Sequence, residues 1–385
     1  MSLWPEFNAS SEDLWIKKVL DDSSNKTIQD FHWKTEYGNI DSFRKSISVL
    51  KSCKKDKLSE IGWNFKDKNK INSQILNRLN DGINSIYIDG INYTGSIFKN
   101  VMNDIINTHI ILRPNASKEN LSYWTNWINS YPNLKGSIRM SLLTKFIEAP
   151  NSDNNSIDLK AYQDHFKRNL NPNFKCIYIE IPNKHISIKN HSSEIALTGA
   201  YLNEIIEIHK KNNIEIPKKI ILKSFLDNSF LENISKLKAI KSIINQILKI
   251  HTIKANVIIE TSVNTQILKD QSEDFRILSI TSTAMSSFIG GANSFVLSDS
   301  LLISDENYWR KIAANIPIII NEESQINISN DITEGAHIIE QISLKMADKA
   351  WRILKQIEGN GGLLKSLKNS DLRKFIKNRN GKSIF

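Results

Sequence analysis

Beyond a polar first sixty residues, short β-branched or apolar runs recur along the chain, each followed by a longer segment with apolar residues at spacings of three and four. Eight such runs stand at residues 85–89, 109–113, 136–140, 176–181, 219–223, 257–261, 294–298 and 316–320. The helical pattern between them is clearest twice. Ile234, Leu237, Ile240, Ile244 and Leu248 form one apolar stripe, and Ile339, Ile342, Met346, Ala350, Ile353 and Ile357 form another, each able to lie on a sheet. The glycines of 359–362 predict the end of the last helix, because glycine accepts the left-handed conformation that a helix end favours.

Strands alternating with helices predict a parallel sheet, and eight such units close into a barrel with no exposed edge. An open doubly wound sheet is the competitor, but the segment 89–95 lacks the G-x-G-x-x-G turn such a sheet carries after its first strand. The expected fold is therefore α/β, a (β/α)8 TIM-type barrel with an N-terminal extension. The division is an arm over 1–60, the barrel over 61–362 and a tail over 363–385, with the polar stretch 151–156 as a surface loop. A chain of 385 residues suffices, since such barrels need roughly 250.

Composition narrows the class. With 40% hydrophobic and 24% charged residues the chain reads as a folded protein, and no apolar run approaches the ~18 residues of a membrane span. Residues 1–10 lack the basic-then-apolar pattern of a secretory signal, so the cytoplasm is the expected location. Cys53 and Cys176 build no disulfide framework and stand in no metal-ligand spacing. The net charge of +10 is compatible with nucleic acid, anionic lipid or a phosphorylated ligand. The lysines, however, are scattered among Asn and Ile without interleaved aromatics, a dispersion that argues for codon drift over a nucleic-acid surface.

Barrel chemistry sits at the carboxyl ends of the strands, where this sequence places Asp89, Arg113, Arg139, Glu180, Lys223, Glu260 and the trio Asn321, Glu322 and Glu323. Solvated or paired charge is the ordinary role of each such residue. Glu322 and Glu323 are neighbours that would leave a strand toward opposite faces, so they form no ready acid/base couple. The eight histidines show no H-x-x-x-H or H-E-x-x-H, and neither G-x-S-x-G nor a Walker-type loop occurs.

More specific information begins at 284–295, where Ala284, Met285 and Ser286 precede paired Gly290 and Gly291 and a short strand. This segment resembles the methylmalonyl-CoA mutase barrel. Glu322-Glu323-Ser324, Asp331 with Gly335, Ile339-Glu340, Ala350-Trp351, and Ile357-Glu358 with Gly361-Gly362 follow that family's terminal pattern in register. The segment 230–239 is similar to its Phe-Phe-Glu-Glu-Ile-Ala-Lys-Phe-Arg-Ala helix. Glu6-Phe7, Trp15, and Trp33 to Glu36 with Gly38 resemble the arm of its small subunits.

Departures from the pattern shape the functional expectation. Where the resemblance implies the arginine and tyrosine of a Trp-Thr-Ile-Arg-Gln-Tyr segment before the first strand, this chain has Lys66 and Lys68 after Trp63, and lysine lacks the planar fork that suits a carboxylate. The family's catalytic histidine falls at Glu194 when Thr198-Gly199-Ala200 is matched, with His191 out of register, and a further histidine is replaced by Val296. The proline and glycine expected after Asp331 are Ile332 and Glu334. The cobalamin-binding Asp-x-His-x-x-Gly has only a weak counterpart in Asp30, His32 and Thr35, and no C-terminal cobalamin-binding domain is expected in this chain.

The resemblance therefore implies a non-catalytic small subunit of a heterodimer, with no catalytic, cofactor-binding or metal residue of its own. Adenosylcobalamin is expected on the large catalytic subunit, its partner, with neither membrane nor nucleic acid as a further one. The rivals are an autonomous CoA-thioester isomerase served by a separately encoded cobalamin domain, and a basic binding module on a dead barrel. Trp4, Phe7, Trp15, Phe31 and Trp33 point to the arm as the partner-contacting element.

Overall fold

The computed structural model describes residues 11–23, 26–41, 60–66, 71–89, 101–105, 110–117, 120–144, 159–168, 171–181, 191–303, 306–324, 326 and 331–368. An antiparallel hairpin, β1 (Trp33–Thr35) and β2 (Gly38–Ile40), precedes eight strands. These are β3 (Glu60–Phe65), β4 (Ser85–Ile88), β5 (Ile111–Pro114), β6 (Lys135–Gly136), β7 (Ile177–Glu180), β8 (Lys219–Leu226), β9 (Asn256–Val263) and β10 (Ser294–Ser298). Every pairing among the eight is parallel, in the order β6-β5-β4-β3-β10-β9-β8-β7. Pairing of β10 with β3 joins last strand to first, which makes the sheet a TIM-type (β/α)8 barrel. Across the β6–β7 seam, Ile138 N–H donates to the Phe174 carbonyl at 3.0 Å and the Cys176 thiol to the Ile138 carbonyl at 3.4 Å.

The described helices are α1 (Glu12–Asp22), α2 (Ile71–Asn80), α3 (Leu121–Asn129), α4 (Leu159–Lys167), α5 (His191–Lys211), α6 (Phe230–Ile250), α7 (Glu273–Ile289), α8 (Asn307–Glu323), α9 (His337–Gly359) and α10 (Leu363–Lys368). Both apolar stripes lie where their spacing places them. Ile234, Leu237, Ile240, Ile244 and Leu248 are buried on α6, and Ile339, Ile342, Met346, Ala350, Ile353 and Ile357 on α9; all but Ile234 and Ile339 belong to a core shared with α5 and strands β7 to β9. Gly361 and Gly362, with φ of 95° and 91°, turn the chain just past α9. A second core fills the β3–β5 and β10 side under α2, α3, α7 and α8. At the α7–β10 reversal, a β-carbon on Gly290 would stand 2.7 Å from Leu237 Cδ1 and 3.2 Å from Ile234 Cα, so α6 approaches too closely for any side chain there.

The first and last strands differ from the sequence expectation. Residues 316–320 lie inside α8, and the first barrel strand is β3, which contains Trp63. Trp309, Ala313, Ile316 and Ile320 recur at helical spacing and face the second core, and this packing overrides the strand tendency of isoleucine. Pro317 lacks the N–H that would bond back toward Ala313, and α8 continues through it. β3 alternates strictly: Ile61, Trp63 and Phe65 enter the outer core, while Glu60, Gly62 and Asn64 lie between them.

The hairpin is fastened to its own barrel. Lys349 Nζ donates to the Glu36 carbonyl at 3.1 Å, Lys345 to the Asn39 carbonyl, and the Asp41 N–H to Gln341 Oε1 at 2.9 Å, while Ile40 is buried. On α1, Leu14 and Trp15 are exposed. Trp4, Phe7, Cys53, Lys68, the loop 151–156 and the tail beyond 368 lie outside the described residues.

Candidate functional site

Alternation along the strands puts one side chain in two inside the barrel, and here many of these are charged. From β5, Arg113 donates through Nη1 to Ser137 Oγ at 3.0 Å and pairs through the guanidinium with Glu60 on β3, while Nη1 lies 3.3 Å from Glu260 Oε1 on β9. Arg139, beyond β6, donates to Asp89 at 2.7 Å at the end of β4. The Tyr87 ring fills the space between them, with guanidinium carbons 5.0 Å (Arg139) and 5.8 Å (Arg113) from its centroid. The Tyr87 hydroxyl donates to Glu260 Oε1 at 2.9 Å and lies 3.1 Å from Ser294 Oγ. Farther round, Lys223 Nζ is 3.8 Å from Glu180 Oε1, and Tyr178 donates to Glu180 at 3.1 Å.

Burial and pairing compete in this interior. Burial raises the Asp89 carboxyl, but Arg139, Lys223 and the Asn64 amide outweigh it and hold the acid below the usual range. Glu260 goes the other way: its complete burial outweighs Arg113 and Arg139, and its pKa is raised. Its second oxygen has no hydrogen-bond partner. Burial, and after it the Glu260 charge, push the Tyr87 phenol well above its ordinary value of 10, so it stays protonated and keeps its hydrogen bond to Glu260.

Six of the predicted strand-end residues, Asp89, Arg113, Arg139, Glu180, Lys223 and Glu260, are thus brought together as partners of one another. Asn321, Glu322 and Glu323 are not among them; they form the last turn of α8, with both glutamates exposed. Tyr87 and Tyr178 complete the set, and their placement in the β4 and β7 runs was the sequence signal for them.

Glu194, the position that the resemblance matches to the family's histidine, is also committed. Glu194, in the first turn of α5, accepts from Lys236 Nζ at 2.7 Å and from Ser224 Oγ at 3.1 Å, and the fully buried Lys236 also donates to the Phe225 carbonyl at 2.7 Å. His191 Nε2 stands 3.6 Å from Asp227 and 3.5 Å from Glu232. Val296 is buried in β10. His165 and His209, distant in sequence, both pack on Phe166, each with its ring centroid 4.8 Å from that ring.

Residues 127–383 match the family model for methylmalonyl-CoA mutase. This chain belongs to the methylmalonyl-CoA mutase family. A methylmalonyl-CoA mutase of Cereibacter sphaeroides is 27% identical over 103 residues, 26% of this chain and 14% of that protein. The methylmalonyl-CoA mutase small subunit of Propionibacterium freudenreichii subsp. shermanii is 28% identical over 94 residues, 24% of this chain and 15% of that one. The matched stretches therefore span about a seventh of these relatives. In overall shape the chain also resembles a dihydropteroate synthase from Yersinia pestis, with a TM-score of 0.41 and 11% identity over 75% of this chain and 98% of that one, a likeness too distant to bear on function.

Residues of the Asp-x-His kind do not fit a cobalt-ligating set here. His32 Nε2 lies 3.4 Å from Asp41, and Asp30 accepts from the backbone and hydroxyl of Thr27, so Asp30 is not the carboxylate that orients this imidazole. No cluster of His, Cys, Asp and Glu that could hold a metal occurs among the described residues, and no described helix is long and apolar enough to cross a membrane.

Proposed function

We propose that this chain is the small, non-catalytic subunit of a heterodimeric, adenosylcobalamin-dependent methylmalonyl-CoA mutase. In this reading the interconversion of methylmalonyl-CoA and succinyl-CoA takes place on the large subunit, which binds the cofactor and which this chain stabilises. A radical reaction needs a barrel that binds, orients and shields its substrate. The observation that carries the proposal is the Tyr87 ring between the guanidiniums of Arg113 and Arg139, which fills the barrel interior with mutually committed charge. Glu194, held by Lys236 and Ser224 where the family's histidine would stand, supports the same reading.

Stabilisation follows from linkage: a subunit that binds the folded large subunit and not its unfolded form raises its stability by mass action. Trp15 on α1 and Trp33 in the hairpin, both about half exposed, are the anchors we assign to the contact. The test is co-expression with a large subunit, followed by purification and assay. The pair should co-purify, and the large subunit should melt at a higher temperature in the complex. The isolated chain should give no turnover with added adenosylcobalamin and no shift in corrin absorbance. Turnover by the isolated chain, or failure of the two chains to associate, overturns the reading.

A further inference from the structure

Lysines that are spread along the sequence are gathered by the barrel onto one face. The turns leading into β6, β7, β8 and β9 all lie at the amino end of the barrel, where they are bonded into one continuous surface. Asn171 Nδ2, before β7, donates to the Pro132 carbonyl, before β6, at 3.1 Å. Lys219, at the start of β8, donates to the Gly136 carbonyl at 2.9 Å, and the Asn256 N–H, at the start of β9, to the Lys218 carbonyl at 2.7 Å. The helix ends behind these turns are joined as well, α4 to α5 through Gln163 and Asn212 at 2.8 Å and α5 to α6 through Lys210 and His251 at 2.6 Å. We propose that this face binds single-stranded nucleic acid, an inference that rests on nothing in the mutase reading.

Charge selects a polyanion. Lys135, Lys218 and Lys254 are exposed beside the strand starts, and Lys167, Lys211 and Lys249 are exposed at the ends of α4, α5 and α6. None of the six has an ion-pair or side-chain hydrogen-bond partner among the described residues. Lys175 and Lys219 bond to main-chain carbonyls, which leave their charge unanswered. The exposed acids of these turns are Asp164 and Glu215, and Glu207 stands 3.5 Å from Lys210; Glu204 and Glu358 adjoin one another on the α5–α9 flank. Complementing the helix dipoles accounts for Lys167, Lys211 and Lys249. It does not account for Lys135, Lys218 and Lys254, which lie beyond the last helical turns.

Shape selects a single strand. Between the end of α6 and the start of β9 a groove of about 660 Å³ is lined by the apolar Leu248, Ile253 and Ala255, with Lys218, Lys249, Lys254 and the amides of Asn245 and Asn256 around them. Lysines on phosphates, with an amide-edged apolar bed between them, accommodate an unstacked base, whereas a duplex offers the groove only its backbone. A bilayer surface does not enter a recessed groove. Before β6, Tyr131 is 39% exposed with its ring centroid 4.7 Å from that of Trp127, a platform on which a further base stacks.

The test is fluorescence anisotropy of the full chain with a labelled mixed-sequence RNA strand of ~20 nucleotides, the DNA strand of the same sequence and the duplex of each, at ~50 mM salt. Vesicles containing phosphatidylserine are tested beside them by co-sedimentation. At least one single strand should bind at micromolar concentration, more tightly than its duplex, and more weakly as salt is added. The triple variant Lys218→Gln, Lys249→Gln, Lys254→Gln should weaken binding by at least about tenfold and flatten the log–log salt slope by about 2, the share of three phosphate contacts. The same change of charge on distant elements, Lys17→Gln, Lys18→Gln, Lys311→Gln, should leave the affinity within about twofold. All six lysines are exposed, so both triples should keep the parent melting temperature, which is checked directly. No binding of either strand at ~100 μM, equal losses in the two triples, or preference for the duplex or the vesicles would each overturn the proposal.

Discussion

A β-carbon on Gly62 would stand 2.4 Å from Cε2 of Tyr87, so the glycine on β3 is what allows the tyrosine ring on β4 to lie across the barrel interior. Gly62→Ala should therefore destabilise the fold by about 1–3 kcal/mol through overpacking. In a Tyr87→Leu background the same change should cost much less, because the clashing ring edge is gone. Chemical denaturation of the four proteins of this cycle measures the coupling. Additive costs would show that the two residues do not compete for the same space.

Arg113 has two carboxylates, Glu60 and Glu260, and the two sides of this network should respond unequally to substitution. Arg113→Met strands both acids near the barrel interior and should cost about 3–5 kcal/mol. Glu260→Gln should cost under about 1.5 kcal/mol, because burial already favours the neutral form of that side chain and Glu60 still answers Arg113. Denaturant midpoints with unchanged slopes decide it. Equal costs would mean that Glu260 is a full charge partner.

His165 is buried with neither ring nitrogen hydrogen-bonded, and burial, helped by Lys175 and Arg168, lowers its pKa to about 4. The unfolded chain, with an ordinary value near 6.5, takes up this proton first as pH falls. The stability tied to neutral His165 is thus complete above pH ~6.5 and is lost progressively down to pH ~4, by about 3 kcal/mol in all. Between pH 7.5 and 5.0, His165→Leu should lose about 2 kcal/mol less than the parent in urea denaturation. Parallel pH profiles would remove His165 as the source.

The exposed part of the arm is separable from the part that packs on the barrel. Removing residues 1–25 takes away α1 with Trp15 and leaves the hairpin and its bonds to Lys345, Lys349 and Gln341. The truncated chain should fold with an unchanged melting temperature. Its affinity for a large subunit should fall by roughly 30-fold, the value of one ~2 kcal/mol anchor. Undiminished association would place the contact elsewhere on the chain.

Periodicity determined the alternation of strands and helices, seven of the eight barrel strands (β4 to β10) and the stripes of α6 and α9, because a buried face repeats every 3.6 residues in a helix and every second residue in a strand. The resemblance of 284–295 and of the terminal segments to the mutase barrel was likewise readable from one chain, being a matter of local order. What failed in the sequence were the edges of that pattern. β3 carries Glu60, Gly62 and Asn64 between its outward apolar residues, so it reads as polar although its outer face is fully packed. Residues 316–320 read as a strand because isoleucine is β-branched, and only the core beneath α8 decided for a helix.

The strand-end charges were each visible in the sequence, but their relation was not. Tyr87 and Glu260 are 173 positions apart, and closure of the barrel alone makes them partners. Packing of α5 on α6 likewise joins Glu194 to Lys236, 42 positions apart in the sequence. Local spacing fixes which way a side chain faces along its own element; which charge it meets depends on contacts between distant segments, and those exist only once the eight strands have closed.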